Sequence, residues 1–180
     1  MGLHKGFSTL SPKNESQLEY WGDDFHEQYR PASRVEKEFK LTHKLILTAR
    51  RWTNHIDATV KAKTGLSRAR WQTLSALSFS GAPVSVGALS RRLSVKWPTL
   101  VRTLNNLEAE GLISKNVDPA DQRSQLVTIT SQGTAMWETV RAVLDPERAS
   151  VLANISTDDL ANAERVLEVV FTELASRGQQ

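Results

Sequence analysis

The feature that most limits this chain is a change of hydrophobic period between Ser85 and Thr130. Val86, Leu89 and Leu93 are spaced three and four apart, as on one face of a short helix, and Ser85 stands before them as an N-cap. Ser94, Val95 and Lys96 turn the chain. Trp97, Leu100, Leu104 and Leu107 then read as the apolar face of a second helix. Pro98 suits the first turn of that helix, where an N–H has no intrahelical partner, and Gly111 ends it. Beyond Gly111 the period drops to two. Ile113 and Val117 alternate with Ser114 and Asn116, and Val127 and Ile129 with Thr128 and Thr130. The turn Asp118-Pro119-Ala120-Asp121 lies between the two runs. Helix, tight turn, helix and hairpin in that order describe a winged helix-turn-helix.

The rest of the chain reads as helix around this unit, giving a fold that is mainly α with a small β-hairpin wing. Residues 1–34 differ from the remainder of the chain: Gly2, Gly6, Pro12, Gly22 and Pro31 punctuate them, and they are read as a partly ordered extension, with Pro31 and Ser33 at a helix entry. Val35, Phe39, Ile46, Ala49, Ile56 and Val60 mark a long helix that Gly65 stops. Ser67 opens another, ended by Gly81-Ala82-Pro83. Past the hairpin, Met136, Trp137, Val140, Val143 and Leu144 mark a helix from about Ser131 to Ala153, which Pro146 could kink or interrupt. Ser156 and Asp159 open the last helix, whose stripe is Leu160, Ala163, Leu167, Val170, Phe171 and Leu174. The boundaries expected are 66–130 for the winged helix-turn-helix, with 35–65 and 131–177 as the helical region outside it.

Function is expected on the polar face of the helix from Lys96 to Glu110. With its leucines inward, Thr99, Arg102, Thr103 and Asn106 share the opposite side. A helix fits the major groove of DNA, where Arg can bond guanine, Asn adenine, and Thr the thymine methyl. Lys96, Arg91 and Arg92 are placed to meet phosphates. At the hairpin tip Arg123 suits the narrow minor groove, and Asp121 could hold its guanidinium by a charge-assisted bond. Any amphipathic helix has a polar face, so the helix alone does not make the case; its setting between a preceding helix and a hairpin does.

Several runs resemble the MarR family of regulators. Asp118-Pro119-Ala120-Asp121-Gln122-Arg123-Ser124 and Val127-Thr128-Ile129-Thr130-Ser131-Gln132-Gly133, after Gly111-Leu112-Ile113, are similar to the family's wing. Thr99-Leu100-Val101-Arg102 and Leu104-Asn105-Asn106-Leu107-Glu108 are similar to its recognition helix, and Trp71 falls where the family often has Trp. The resemblance covers about Val35 to Arg177 and implies a homodimer interlocked by residues 35–65 and 131–177. Its two winged helices would reach consecutive major grooves of a pseudo-palindromic double-stranded operator. It also implies that Arg102 contacts DNA, and that Asp121 with Arg123 forms the element reaching the minor groove. Asn105, Asn106, Gln122 and Lys96 depart from the usual residues and bear on which operator is read.

The resemblance further implies a repressor released by a small aromatic carboxylate or thioester. His43, Arg50 and Arg51 on the first long helix, with Trp71 on the second, are residue types that suit an anionic aromatic ligand. Trp71 equally suits core packing, and His43 with Arg50 a solvated face.

Other function classes find less support. The sequence shows no nucleophile elbow, no phosphate-cradling glycine loop and no constellation for catalysis, so no enzyme and no cofactor are expected. It has no cysteine, and its four histidines, His4, His26, His43 and His55, are scattered, so neither a thiol sensor nor a metal site is expected. There is no apolar run of about 18 residues to span a membrane and no signal-peptide pattern, so a cytoplasmic protein is expected. A net charge of +3 is compatible with nucleic acid without demanding it. The alternative is a winged helix that docks protein; the cationic face of Thr99, Arg102, Thr103 and Arg123 favours DNA.

Overall fold

A computed structural model describes residues 29–177 of the chain. The described residues fall into two compact units that divide between His55 and Ile56. The extension expected over residues 1–34 lies for the greater part outside the described residues.

In the first unit the chain enters helix α1 (Arg34–Thr64) through a reciprocal cap. The Glu36 backbone N–H donates to Ser33 Oγ at 3.2 Å, and the Ala32 N–H donates to the Glu36 carboxylate at 2.5 Å. One of the amide donors that a helix start leaves without a partner is met in this way, and the Glu36 carboxylate holds the residue that leads into the cap. The Tyr29, Phe39 and His43 rings follow one another along this unit, with centroids 5.2 and 5.6 Å apart. Helix α1 continues past His55 into the second unit.

The second unit holds the core. Ile56 and Val60 on the last turns of α1 are buried, and Gly65 at φ 73° ends the helix. Helix α2 (Arg68–Ser80) follows and stops at Gly81, whose φ of 62° is the left-handed conformation that glycine adopts without a Cβ clash. Strand β1 is only Val84–Ser85. Helix α3 (Val86–Leu93) starts where Ser85 Oγ accepts the Ala88 N–H at 3.2 Å, as its sequence position foretold. The turn after α3 puts Ser94 at φ 51°, and Ser90 Oγ donates to the Val95 carbonyl at 2.7 Å, holding the turn closed. Helix α4 (Trp97–Ala109) then carries Pro98 in its first turn.

Strands β2 (Ile113–Asp118) and β3 (Asp121–Ile129) form the wing, and the sheet order is β1-β3-β2, all antiparallel. Both arms run further toward the tip than alternation alone indicated, and β1 was not foreseen at all. Ile113 pairs with Ile129 and Val117 with Gln125, but Asp118 pairs with Asp121, so Gln122, Arg123 and Ser124 have no partner on β2. The bulge expels three residues from the ladder at the wing tip.

Helix α5 (Ser131–Leu152) returns across the core. Thr130 caps it by accepting the Gly133 N–H at 3.0 Å, while the Thr130 hydroxyl donates to the Gly111 carbonyl at 2.7 Å. Gly133 is pinned against the backbone just before β2: a Cβ there would stand 1.9 Å from the Leu112 carbonyl oxygen. Pro146 lies inside α5 without breaking it. Helix α6 (Thr157–Arg177) begins at Ser156, whose Oγ accepts the Asp159 N–H at 3.1 Å, and it has no buried residue. Leu74, Leu89, Leu100, Leu104, Leu107, Leu112, Val127, Val140 and Leu144 are all 2 % exposed or less and form the centre that fixes α4 and the wing.

Candidate nucleic-acid interface

The burial of α4 decides which of its side chains face outward. Leu100, Thr103, Leu104 and Leu107 point into the core. Thr99, Arg102 and Asn106 are exposed, as the sequence indicates. Thr103 departs from that expectation. It is 9 % exposed, and its hydroxyl donates to the Thr99 carbonyl at 3.0 Å, so it only edges the groove beside Thr99 and Arg102 instead of standing out with them. The helix's own carbonyl satisfies the polar atom and makes a threonine acceptable at an inward position. Trp97 departs in the opposite sense: expected on the apolar face, it is 54 % exposed.

Two grooves flank the outward face. The one on the α2 side has a volume of about 510 Å³ and is lined by Ser67, Arg70, Pro98, Thr99, Arg102 and Asn106. Arg70 pairs with Glu110 through a terminal guanidinium nitrogen, while its Nε is buried with no acceptor. Arg102, which carries no ion pair among the described residues, makes the groove polar and cationic, and Arg70, paired with Glu110, is a polar contributor that sequence reading missed. The other groove, about 270 Å³, lies between α4 and the wing.

The wing is tied to α4 by a second arrangement with no sequence forecast. Glu108 accepts the Lys115 backbone N–H at 3.2 Å and pairs with its ammonium at 2.8 Å, and the same ammonium donates to Asn105 Oδ1 at 2.7 Å. Lys115 is thus committed to structure. A Glu in the last turn of a helix with a Lys early in the next strand was the available signal.

At the tip, Arg123 is exposed. Asp121 does not hold its guanidinium: Asp121 Oδ1 accepts the Arg123 backbone N–H at 3.0 Å. The carboxylate shapes the loop, and among the described residues the Arg123 guanidinium carries no ion pair. Asp118 acts likewise on the Ala120 N–H at 2.9 Å. Lys96 is exposed at the N-cap of α4 and makes no side-chain cap bond. Arg91 is exposed on α3 and lies over Gly87, beside Trp97. Arg92, also exposed, is turned elsewhere: its Nη1 donates to Ser80 Oγ at 2.7 Å, and it lines a separate groove of about 310 Å³ with Trp71, Gln72, Ser75 and Phe79.

The residues expected at a ligand fall in both units. In the first, His43 is half-buried and stacked on Phe39 at an interplanar angle of 7°, and Arg50 and Arg51 are exposed on the same helix. In the second, Trp71 is half-buried, and its indole N–H is buried without an acceptor. Among the described residues, no helix is long and apolar enough to cross a membrane.

Comparison with known proteins gives a consistent result. Residues 64–124 match the model of the MarR family. Among solved structures the chain is similar to the transcriptional regulator BldR from Sulfolobus solfataricus, at 22 % identity and a TM-score of 0.67, over 80 % of this chain and 99 % of that one. It is also similar to a MarR-family transcriptional regulator from Silicibacter pomeroyi, at 24 % identity and a TM-score of 0.65, over 76 % of this chain and 94 % of that one. A third similar structure is a cysteine-to-serine mutant of MarR from E. coli complexed with operator DNA, at 22 % identity and a TM-score of 0.57, over 71 % of this chain and 96 % of that one.

Proposed function

We propose, from the match of residues 64–124 to the MarR family model, that the chain is a sequence-specific, DNA-binding transcriptional regulator of that family acting as a homodimer. The observation that carries this reading is the outward face of α4. Thr99, Arg102 and Asn106 stand exposed on a helix whose opposite side is locked in the core, beside a cationic groove and a wing ending in an exposed Arg123. Such a face presents donors to base edges in a major groove while the wing follows the strand to the neighbouring minor groove. The similar MarR structure with operator DNA supports the same reading.

Apolar surface supports the homodimer. On α6, Leu160, Val166, Leu167, Val169, Phe171 and Leu174 are all exposed, between 37 and 69 %. In the first unit Val35, Leu41 and Ile46 are exposed at 49–61 %. A soluble chain does not leave stripes of that extent against water, and a second copy covers them without any new element.

We further propose that it is a repressor released by a small aromatic carboxylate or thioester. A groove of about 310 Å³ lined by Trp71, Phe79 and Arg92 supports this, since it offers aromatic walls and a cation to an anionic aromatic ligand. His43, Arg50 and Arg51 stay as candidates on the first helix. A ligand that binds better to a geometry unfit for DNA shifts the population away from the operator.

Fluorescence anisotropy on the DNA upstream of its own gene tests the reading, with random-sequence competitor and then a panel of aromatic acids and thioesters. Competitor-resistant binding by a dimer, lost with one compound, is expected. Binding no tighter than to random DNA would sink sequence-specific recognition of that site and favour a protein-docking winged helix.

A further inference from the structure

Trp97 is the first residue of α4 and 54 % exposed, and Val117 on β2 is 59 % exposed. Both line the groove of about 270 Å³ between α4 and the wing, together with Val101, Gln122, Arg123 and Gln125. Exposed apolar groups of this size in one crevice call for an occupant with an apolar part. The borders of the crevice are cationic. A Cβ built on Gly87 would stand 3.7 Å from Arg91 Nη1 and 3.9 Å from Trp97 Cζ3, so the guanidinium and the indole edge lie over the same residue. Arg123 lines the wing side, and neither arginine carries an ion pair among the described residues. Arg91, beside Trp97 at the rim, and Arg123 on the wing thus flank an apolar strip of Trp97, Val101 and Val117, while Lys115 in the same lining is held by Glu108 and Asn105.

A helix in the major groove and a wing in the adjacent minor groove are separated by one sugar–phosphate strand. That strand alternates an apolar deoxyribose with an anionic phosphate, which matches this arrangement. Resting on the DNA-binding reading above, we propose that this crevice seats the sugar–phosphate strand between the two DNA grooves. Trp97 and Val117 pack on deoxyribose. Arg91 takes the phosphate on the α3 side, and Arg123 lies beyond the strand, in the minor groove. Trp97 is then an affinity residue that reads no base.

The test uses the full chain on two duplexes, one selected by the wild-type protein from a random pool and one of random sequence, each over a range of salt. Trp97→Ala is expected to weaken binding about tenfold, and Val117→Ser about threefold, by the same factor on both duplexes. Their salt slopes should match wild type, because an apolar contact releases no counterion, whereas Arg91→Ala should lower the slope by about one. A Trp97→Ala loss confined to the selected duplex, and erased when its thymines are replaced by deoxyuracil, would place the indole on a base methyl and overturn the proposal. Unchanged affinity in both apolar variants would overturn it too. Wild-type protein that binds neither duplex would overturn the DNA reading itself, and this seat with it.

Discussion

Glu108 holds Lys115 twice, by the backbone N–H at 3.2 Å and by the ammonium at 2.8 Å. The first strand of the wing thereby takes its position from the helix that faces outward, so both would meet DNA as one body. Glu108→Ala should cost about 1–2 kcal/mol in chemical denaturation, the size of losing a part-buried, charge-assisted bond. It should also speed hydrogen exchange at the Lys115 amide. Unaltered exchange there would mean that the sheet alone positions the wing.

Gly133 is the tightest point of the unit, since an added Cβ would meet the Leu112 carbonyl oxygen at 1.9 Å. Gly133→Ala is expected to destabilise by about 3 kcal/mol or more, as overpacking against backbone does when no side chain can yield. Thermal unfolding is the measurement, and a melting temperature equal to wild type would refute the pinch.

Arg102→Ala should cost about 1–3 kcal/mol on the selected duplex and less on random DNA, as for a base contact. Thr103→Val, at a position 9 % exposed, should leave the ratio between the two duplexes unchanged. If Thr103→Val altered that ratio, the inward placement of this residue would be wrong for the bound state.

Arg123→Ala should weaken binding on both duplexes and reduce the salt slope by about one. An unchanged slope would remove the wing tip from the interface. Asp121→Asn keeps an oxygen for the Arg123 N–H and should behave nearly as wild type, unlike a residue whose charge holds the guanidinium.

Phe171 is 69 % exposed on α6. Phe171→Glu should convert a dimer to monomer in sedimentation, because a desolvated carboxylate in the covered stripe has no partner. Binding to a two-half-site duplex should fall with it. A dimer that survives this change would move the association surface to another face.

The elements legible in the sequence were those set by local chemistry. Ser85 before Val86, Gly81 and Gly111 after their helices, and the alternation through Val127 each act over a few residues, and each reappears in the structure. What escaped was set by distant partners. Val84–Ser85 is too short to show a period and is a strand only because Val127 and Leu126 lie beside it. Trp97 follows the apolar spacing of α4, yet the crevice toward the wing leaves it half in water. Thr103 looks outward by type, yet it is accepted inside because the Thr99 carbonyl takes its hydroxyl. Asp121 suits a charged partner by type, whereas the amide two residues on takes its oxygen by proximity. For the expected ligand residues the sequence supplied types, and the structure adds the orphaned indole N–H of Trp71.

Gln122, Arg123 and Ser124 stand outside the register of β2 and β3. Three residues that bear no share of the ladder can be exchanged without loosening it. The wing therefore separates its frame from its tip: residues 122–124 can change in descendants of this chain while the paired residues of β2 and β3 keep the hairpin standing.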